Sequence, residues 1–348
     1  MIPTRLRRKT VAAAPPHPVT DGDPARMSST RNRTPDPQAA WILDLVKASG
    51  RDPYPKMGVE AARRMFDEVV VLLDLPRAEL PVVEDHTLPG PEGIDLPVRL
   101  YRPAALDPDA APLPALLYIH GGGWTIGSLN AYDRLCRHIA AAAGIAVVSL
   151  DYRLAPEHPF PAAVDDAIAA WAALPGAAAR FGIDPERLAI GGDSAGGNLS
   201  AVVALTARDD GMHLPRLQWL VYPATDLAHR HPSRDDFAEG YLLDDATITW
   251  FLDQYLPDRA AAVDWRASPL RATDHRGLPP ALIVTAGCDP LADEGLAYAE
   301  ALSRAGVAVE HRVYPGMLHG FINTAGALDQ ARDAVARSID ALKAALRG

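Results

Sequence analysis

Cysteine is scarce in this chain: Cys136 and Cys288 are the only two in 348 residues. Two thiols cannot build a disulfide framework, and neither stands in the CxxC or Cys/His neighbourhood that a zinc site uses. Long apolar runs are missing as well. No stretch approaches the roughly eighteen residues that span a bilayer, because Asp, Gly or Pro breaks each candidate. A basic surplus is the third absence, since Lys and Arg number 34 against 44 Asp and Glu, a net charge of −10. Such a surface does not attract phosphate backbones, so nucleic acid is set aside as a partner. Together these absences lead to the expectation of a cytoplasmic protein with no membrane and no nucleic-acid partner.

What is present is ordinary globular material, with 48% hydrophobic and 22% charged residues, enough for a large core. At about 150 residues per domain the length suggests two domains, although α/β folds of about 250 residues often form one. Residues 1–35 read as a disordered leader: Arg5, Arg7, Arg8 and Lys9 precede a tract containing Pro15, Pro16 and Pro18. The Arg7-Arg8 pair lacks the apolar segment of an export signal, because residues 11–14 run straight into prolines. A helical period follows over 37–75, with Trp41, Ile42, Leu45 and Val46 on one face, then Met65, Phe66, Val69, Val70 and Leu73 after a break at 53–55. From residue 82 the period changes. Residues 82–88 and 96–101 predict an antiparallel pair, and short buried strands follow at 115–119, 145–150, 188–190, 217–222, 281–285 and 307–313. Helical segments at 162–174, 198–207, 291–305 and 328–346 alternate with these strands, which predicts a mostly parallel sheet with helices on both faces. The interval between Tyr222 and Ala281 is too long for one crossover, so its first half is read as a lid that meets the N-terminal helices.

Two motifs carry the chemistry. In the run LAIGGDSAGG at 188–197, Ser194 stands in a G-x-S-x-G frame supplied by Gly192 and Gly196, between a buried strand and a helix. Small flanking residues permit the sharp turn that exposes a nucleophilic hydroxyl above the sheet, with the Ala195 N–H at the mouth of the next helix. The second motif, HGGGW at 120–124, follows the strand 115–119 directly. Side-chain-free residues there let backbone N–H groups approach a developing oxyanion. A phosphate loop fits less well, because the spacing is not G-x-G-x-x-G and no Lys-Ser/Thr follows.

HGGGW at 120–124, DYRLAPEHPFPA at 151–162, GDSAGGN at 192–198, CDPLADEG at 288–295 and HGF at 319–321 together resemble the hormone-sensitive-lipase family of α/β-hydrolases. More narrowly, they are similar to the bacterial family IV carboxylesterases of the GDSAG type, over a span from about residue 37 to the C-terminus. That resemblance implies an α/β-hydrolase fold with a helical cap and a Ser-Asp-His triad in that chain order. Position supports the same residues independently, because the acid belongs in the loop after a late strand and the histidine after the last one. Asp289 follows 281–285 closely, whereas Asp293 and Glu294 lie further on, in the first turn of a helix, where a carboxylate also suits the dipole. Among eleven histidines only His319 combines the order with a loop position. His120 is expected to brace the glycine loop, as the resemblance also implies, and the His229/His231 pair reads as solvated lid rather than metal site. Ala292, where similar proteins often carry a basic residue, and Cys288, directly before the acid, depart from the family pattern without touching a catalytic role.

The resulting expectation is hydrolysis of short-to-medium acyl esters by Ser194, His319 and Asp289, with the oxyanion held by the N–H groups of Gly122, Gly123 and Ala195. Neither metal nor cofactor is required, and the partner is a small-molecule ester. Deacetylation, lactone opening or amide cleavage on the same triad stays open, as does a receptor that kept the pocket without catalysis. Similar esterases are often dimers through their last strands and helices, so a homodimer is an expectation beside ordinary packing of 328–346 on the sheet. The chain then divides into the leader 1–35, N-terminal cap helices at 36–80, a catalytic domain at 81–225 and 266–348, and a second cap segment at 226–265.

Overall fold

A computed structural model of the chain describes residues 33–107 and 109–347, so most of the expected leader lies outside the described residues. In chain order the elements begin with α1 (Pro37–Ala48), α2 (Val59–Val70), β1 (Val82–Pro89), β2 (Asp95–Arg102), β3 (Leu113–Ile119), α3 (Asp133–Ala143) and β4 (Ala146–Leu150). They continue with α4 (Ala162–Ala173), α5 (Ala178–Phe181), β5 (Ile183–Asp193), α6 (Ala195–Asp209), β6 (Gln218–Val221), α7 (Pro232–Asp236) and α8 (Asp245–Tyr255). The last four are β7 (Ala281–Cys288), α9 (Ala292–Arg304), β8 (Val309–Leu318) and α10 (Asp329–Leu346).

The strands form one eight-stranded sheet in the order β1-β2-β4-β3-β5-β6-β7-β8. β1 pairs with β2, and β2 with β4, antiparallel; every later pairing is parallel. This is the mostly parallel sheet that the alternating pattern predicts. Burial on both faces explains the composition of its centre, where the AVVSL of β4 and the ALIVTAGC of β7 are buried at every position. Alternate residues of β3 divide between two cores. Ala115, Leu117 and Ile119 pack towards α4 and α6, whereas Leu116 and Tyr118 pack towards α3 and α10. The apolar side of α10 is covered within the chain, with Ala331, Ala334, Val335, Ile339, Leu342 and Leu346 all buried. No helix among the described residues is long and apolar enough to cross a membrane.

Two segments lie outside this layered body. α1 starts where Asp36 caps it by accepting from Gln38 N at 2.8 Å, and it is tied to β8 by Asp36 N donating to Gly316 O at 2.9 Å. α2 is fastened by Arg63, whose guanidinium donates to Thr125 O and Ala155 O, both at 2.9 Å, and pairs with Glu157. The second segment, α7 and α8, comes from the long interval after β6. It meets the first at Tyr54, in the short turn between α1 and α2, whose ring lies 6.1 Å from Trp250 and 6.0 Å from Phe251. The aromatic residues of these segments have separate fates. Trp41 is 48% exposed, Phe66 packs on Tyr132, Tyr241 packs edge-on against Phe237, and Phe251 is buried.

Candidate active site

Ser194 sits where β5 ends and α6 begins, with φ 54° and ψ −116°, a conformation that an L-residue adopts only when its surroundings impose it. Two contacts impose it here. Ser194 N donates to Val221 O at the end of β6 (2.8 Å), and Gly196 lies so close to Ile119 O that a Cβ has no room there. The elbow therefore needs glycine on its helical side for packing, and the hydroxyl stands at the C-terminal end of the parallel strands.

Two more strand ends complete the arrangement. His319 follows β8 immediately, and Asp289 follows β7 immediately. His319 Nδ1 lies 2.7 Å from Asp289 Oδ2, and Nε2 lies 2.9 Å from Ser194 Oγ. Since the carboxylate can only accept, Nδ1 carries a proton, and in the neutral ring Nε2 accepts from the serine hydroxyl. Asp289 is fully buried, and its other oxygen accepts from Leu291 N at 2.8 Å, which fixes the plane of the carboxylate. The Tyr222 ring, 4.6 Å from the imidazole, packs against it on another side. Three residues distant in sequence thus form one chain of hydrogen bonds, with His319 largely shielded from water.

The glycine loop after β3 lies beside this chain. Gly122 has φ 118° and Gly123 φ 56°, and Gly122 O accepts from Thr125 N and Ile126 N, which closes the loop into a tight turn. A side chain on Gly123 would enter the ring of Phe251, so α8 packs directly on the loop backbone. Ala195 N belongs to the first turn of α6, whose N–H groups have no partner within the helix and carry its positive dipole end. His120 is fully buried, and its Nδ1 donates to Gly121 O at 2.8 Å. Its ring stacks on Tyr152 with centroids 4.4 Å apart, a structural placement under the loop.

Asp193 is a participant that motif reading passes over. It is buried, and it accepts from Gly121 N and Tyr118 OH at 2.9 Å and from Tyr132 OH at 3.0 Å. Burial raises its pKa, and these hydrogen bonds work against that rise. One carboxyl thereby ties the strand end that carries Ser194 to the loop that carries Gly122 and Gly123. Its sequence signal is its place directly before Ser194 in the GDSAGGN run, while its tyrosine partners stand in other segments.

The remaining acids near Asp289 have other employment. Asp293 Oδ2 accepts from Ser233 N at 2.8 Å, which joins α9 to α7. Glu294 is buried, and its Oε1 accepts from Thr225 N at 2.7 Å. Burial pushes its carboxyl up to about 8. The folded chain therefore holds a proton that the unfolded chain releases near the ordinary value of 4.5, and stability falls as pH rises through that window. Glu294→Gln keeps the acceptor and removes the acid, so its thermal midpoint should match that of the parent near pH 4.5 and exceed it at pH 9. The underlying difference in unfolding free energy should grow by about 1.4 kcal/mol per pH unit across the window. Melting curves with parallel pH dependence in the two proteins would contradict this assignment.

Cys288 is buried, with Sγ 3.5 Å from Pro315 O, and burial pushes its thiol up to about 11, so it is an inert neighbour of the acid. His229 is exposed, and His231 lies 3.5 Å from Asp226. Among the described residues no group of three or more His, Cys, Asp or Glu side chains is placed to hold a metal ion.

Residues 116–323 match a family model described as the alpha/beta hydrolase fold. The chain is 42% identical to an ethyl acetate hydrolase of Pseudomonas putida over 88% of this chain and 98% of that protein. It is 48% identical to the carboxylic ester hydrolase LipN of Mycobacterium tuberculosis over 83% of this chain and 77% of that protein. Among solved structures, an ester hydrolase from the Lake Arreo metagenome superposes with a TM-score of 0.85 at 42% identity, covering 89% of this chain and 99% of the other. An esterase from the archaeon Pyrobaculum calidifontis superposes with a TM-score of 0.83 at 38% identity, covering 89% and 98%. With its motifs, its sheet and these relatives in agreement, the chain belongs to the hormone-sensitive-lipase family of α/β-hydrolases.

Proposed function

We propose that this protein is a serine carboxylesterase acting on small carboxylic esters of short-to-medium acyl length through an acyl-enzyme. The observation that carries the reading is the unbroken hydrogen-bond chain from Ser194 Oγ through His319 to Asp289, at 2.9 and 2.7 Å, on an elbow where Ser194 alone is partly accessible among buried neighbours. His319 Nε2 takes the serine proton as Oγ attacks the ester carbonyl. Negative charge then develops on the carbonyl oxygen, in front of the N–H groups of Gly122, Gly123 and Ala195. When the intermediate collapses, His319 returns the proton to the departing alcohol. A water then gives its proton to the same nitrogen and attacks the acyl-enzyme, and His319 returns that proton to Ser194 Oγ as the acid is released. Asp289 keeps the imidazole in the tautomer this needs and stabilises its cation.

The close packing of Phe251 on Gly123, with Tyr54 and Trp250 behind it, narrows the space over the glycine loop and favours small acyl groups. The ethyl acetate hydrolase relative is consistent with that size class. A fluorophosphonate, which phosphonylates only an activated serine, tests the proposal. The expected result is a single adduct on the peptide containing Ser194, with hydrolysis of p-nitrophenyl butyrate lost in proportion to labelling. Hydrolysis that survives complete labelling, or an adduct on another residue, would contradict the assignment, and an unlabelled protein without esterase activity would point to a receptor.

A further inference from the structure

A polar cleft of about 550 Å³ opens where the segment between α2 and β1 crosses the β1–β2 pair and the start of α3. Four guanidinium groups line it: Arg77 from the crossing segment, Arg99 from β2, and Arg134 and Arg137 from α3. Only two carboxylates face them. Asp133 Oδ2 accepts from Arg77 Nε at 3.0 Å and from Arg137 Nε at 2.7 Å. Asp85 accepts both bonds of a bidentate pair with Arg99.

These pairs account for the Nε edges of Arg77 and Arg137 and leave much of the terminal edge unused. Arg137 Nη1 donates to Ala78 O at 3.3 Å and Arg134 Nη1 to Leu75 O at 3.2 Å. Among the described residues, Nη2 of Arg77, Arg134 and Arg137 has no hydrogen-bonding partner. Arg137 is largely buried, with Asp133 as its ion-pair partner, and it still reaches the lining of the cleft. Asp74, next to Arg134, adds only a partial charge near neutrality, because burial pushes its carboxyl up to about 7. A structural ion-pair network would match acids to bases. Here a chain of net charge −10 gathers four arginines against two facing aspartates around open space.

We infer that this cleft is a binding site for a phosphate dianion, free or on a small phosphorylated metabolite, which bridges the Arg77 segment to Arg134 and Arg137 of the catalytic body. Guanidinium groups match phosphate oxygens in paired, parallel hydrogen bonds, and an incoming dianion supplies the two charges that the cleft lacks. The occupant pins the chain just beyond α2 to the main body, and so stabilises the attachment of the N-terminal helical segment.

Thermal unfolding of the full chain tests this with inorganic phosphate and glucose 6-phosphate, each at about 10 mM, against sodium chloride of equal ionic strength. The expected result is a midpoint raised by about 3 °C by at least one of the two over chloride. The Arg77→Gln/Arg134→Gln double variant should lose that rise while keeping the Asp133–Arg137 pair and its ester hydrolysis. Val71→Glu, which places a carboxylate on the rim without touching an ion pair, should lose it too, and covers the case in which the double variant does not fold. Equal midpoints in chloride and in both phosphates, or a rise that persists in the folded variants, would overturn the site.

Discussion

Ser194→Ala is expected to lower kcat for p-nitrophenyl butyrate by a factor on the order of 10⁶, with KM changed little. The substitution removes one oxygen and nothing that holds the elbow. The backbone bond from residue 194 N to Val221 O does not involve the side chain, and alanine meets the same positive φ with the same Cβ. His319 and Asp289 stay in their pair, Asp193 keeps its three hydrogen bonds, and the glycine loop keeps its turn. What disappears is the hydroxyl proposed as the nucleophile. Residual turnover then rests on water, aided by the N–H groups around the oxyanion, a path that retains a rate about 10³–10⁴ above the uncatalysed one. Steady-state assays of the purified variant, with a circular-dichroism melt to show the fold intact, check the expectation. Activity within tenfold of the parent would remove Ser194 from the chemistry.

Much of this site is legible in the sequence because chemistry constrains it locally. The elbow needs small residues on both sides of Ser194, and Gly196 against Ile119 O shows why none larger fits. His319 and Asp289 were separable from other histidines and acids by order along the chain, since each follows a late strand. Strand limits were less legible. The sequence places the end of the last strand near residue 313, but β8 continues to Leu318 through Pro315 and Gly316. Those two read as breakers, yet β8 is an edge strand, and its pairing with β7 shifts register between Ala286 and Cys288, where a proline is tolerated. Similarly, β5 begins at Ile183, five residues before its apolar run, because Ile183 pairs with Leu113 at the start of β3. The least legible features join distant segments through single side chains. Arg63 reaching Thr125 O and Ala155 O, Asp193 gathering Tyr118 and Tyr132, and Tyr54 meeting Phe251 leave no local period or motif. The arginine cleft is of the same kind: its four guanidiniums come from three separate elements, and only the fold sums their charge.

Asp289→Asn is expected to lower kcat by about 10⁴, and the structure says why an amide of nearly identical shape fails. The carboxylate has two acceptors in use, Oδ1 for Leu291 N at 2.8 Å and Oδ2 for His319 Nδ1 at 2.7 Å. An asparagine has one oxygen to offer. Leu291 N–H is fixed at the start of α9 and buried, so leaving it without an acceptor costs about 1–3 kcal/mol, and the amide oxygen turns towards it. The amide NH₂ then faces His319 Nδ1, which must accept, so the ring's proton moves to Nε2. That nitrogen points at Ser194 Oγ and can no longer take its proton, while the imidazolium also loses its counter-charge. Asp293→Asn gives the matched control, because Asp293 serves Ser233 N and no histidine. Its kcat should stay within a few-fold of the parent. The nitrogen chemical shifts of His319 supply the independent readout: Nε2 should report a bonded proton in Asp289→Asn and an acceptor in Asp293→Asn. Equal kcat losses in the two variants, or an unchanged tautomer in the first, would show that Asp289 acts through general packing rather than through the imidazole.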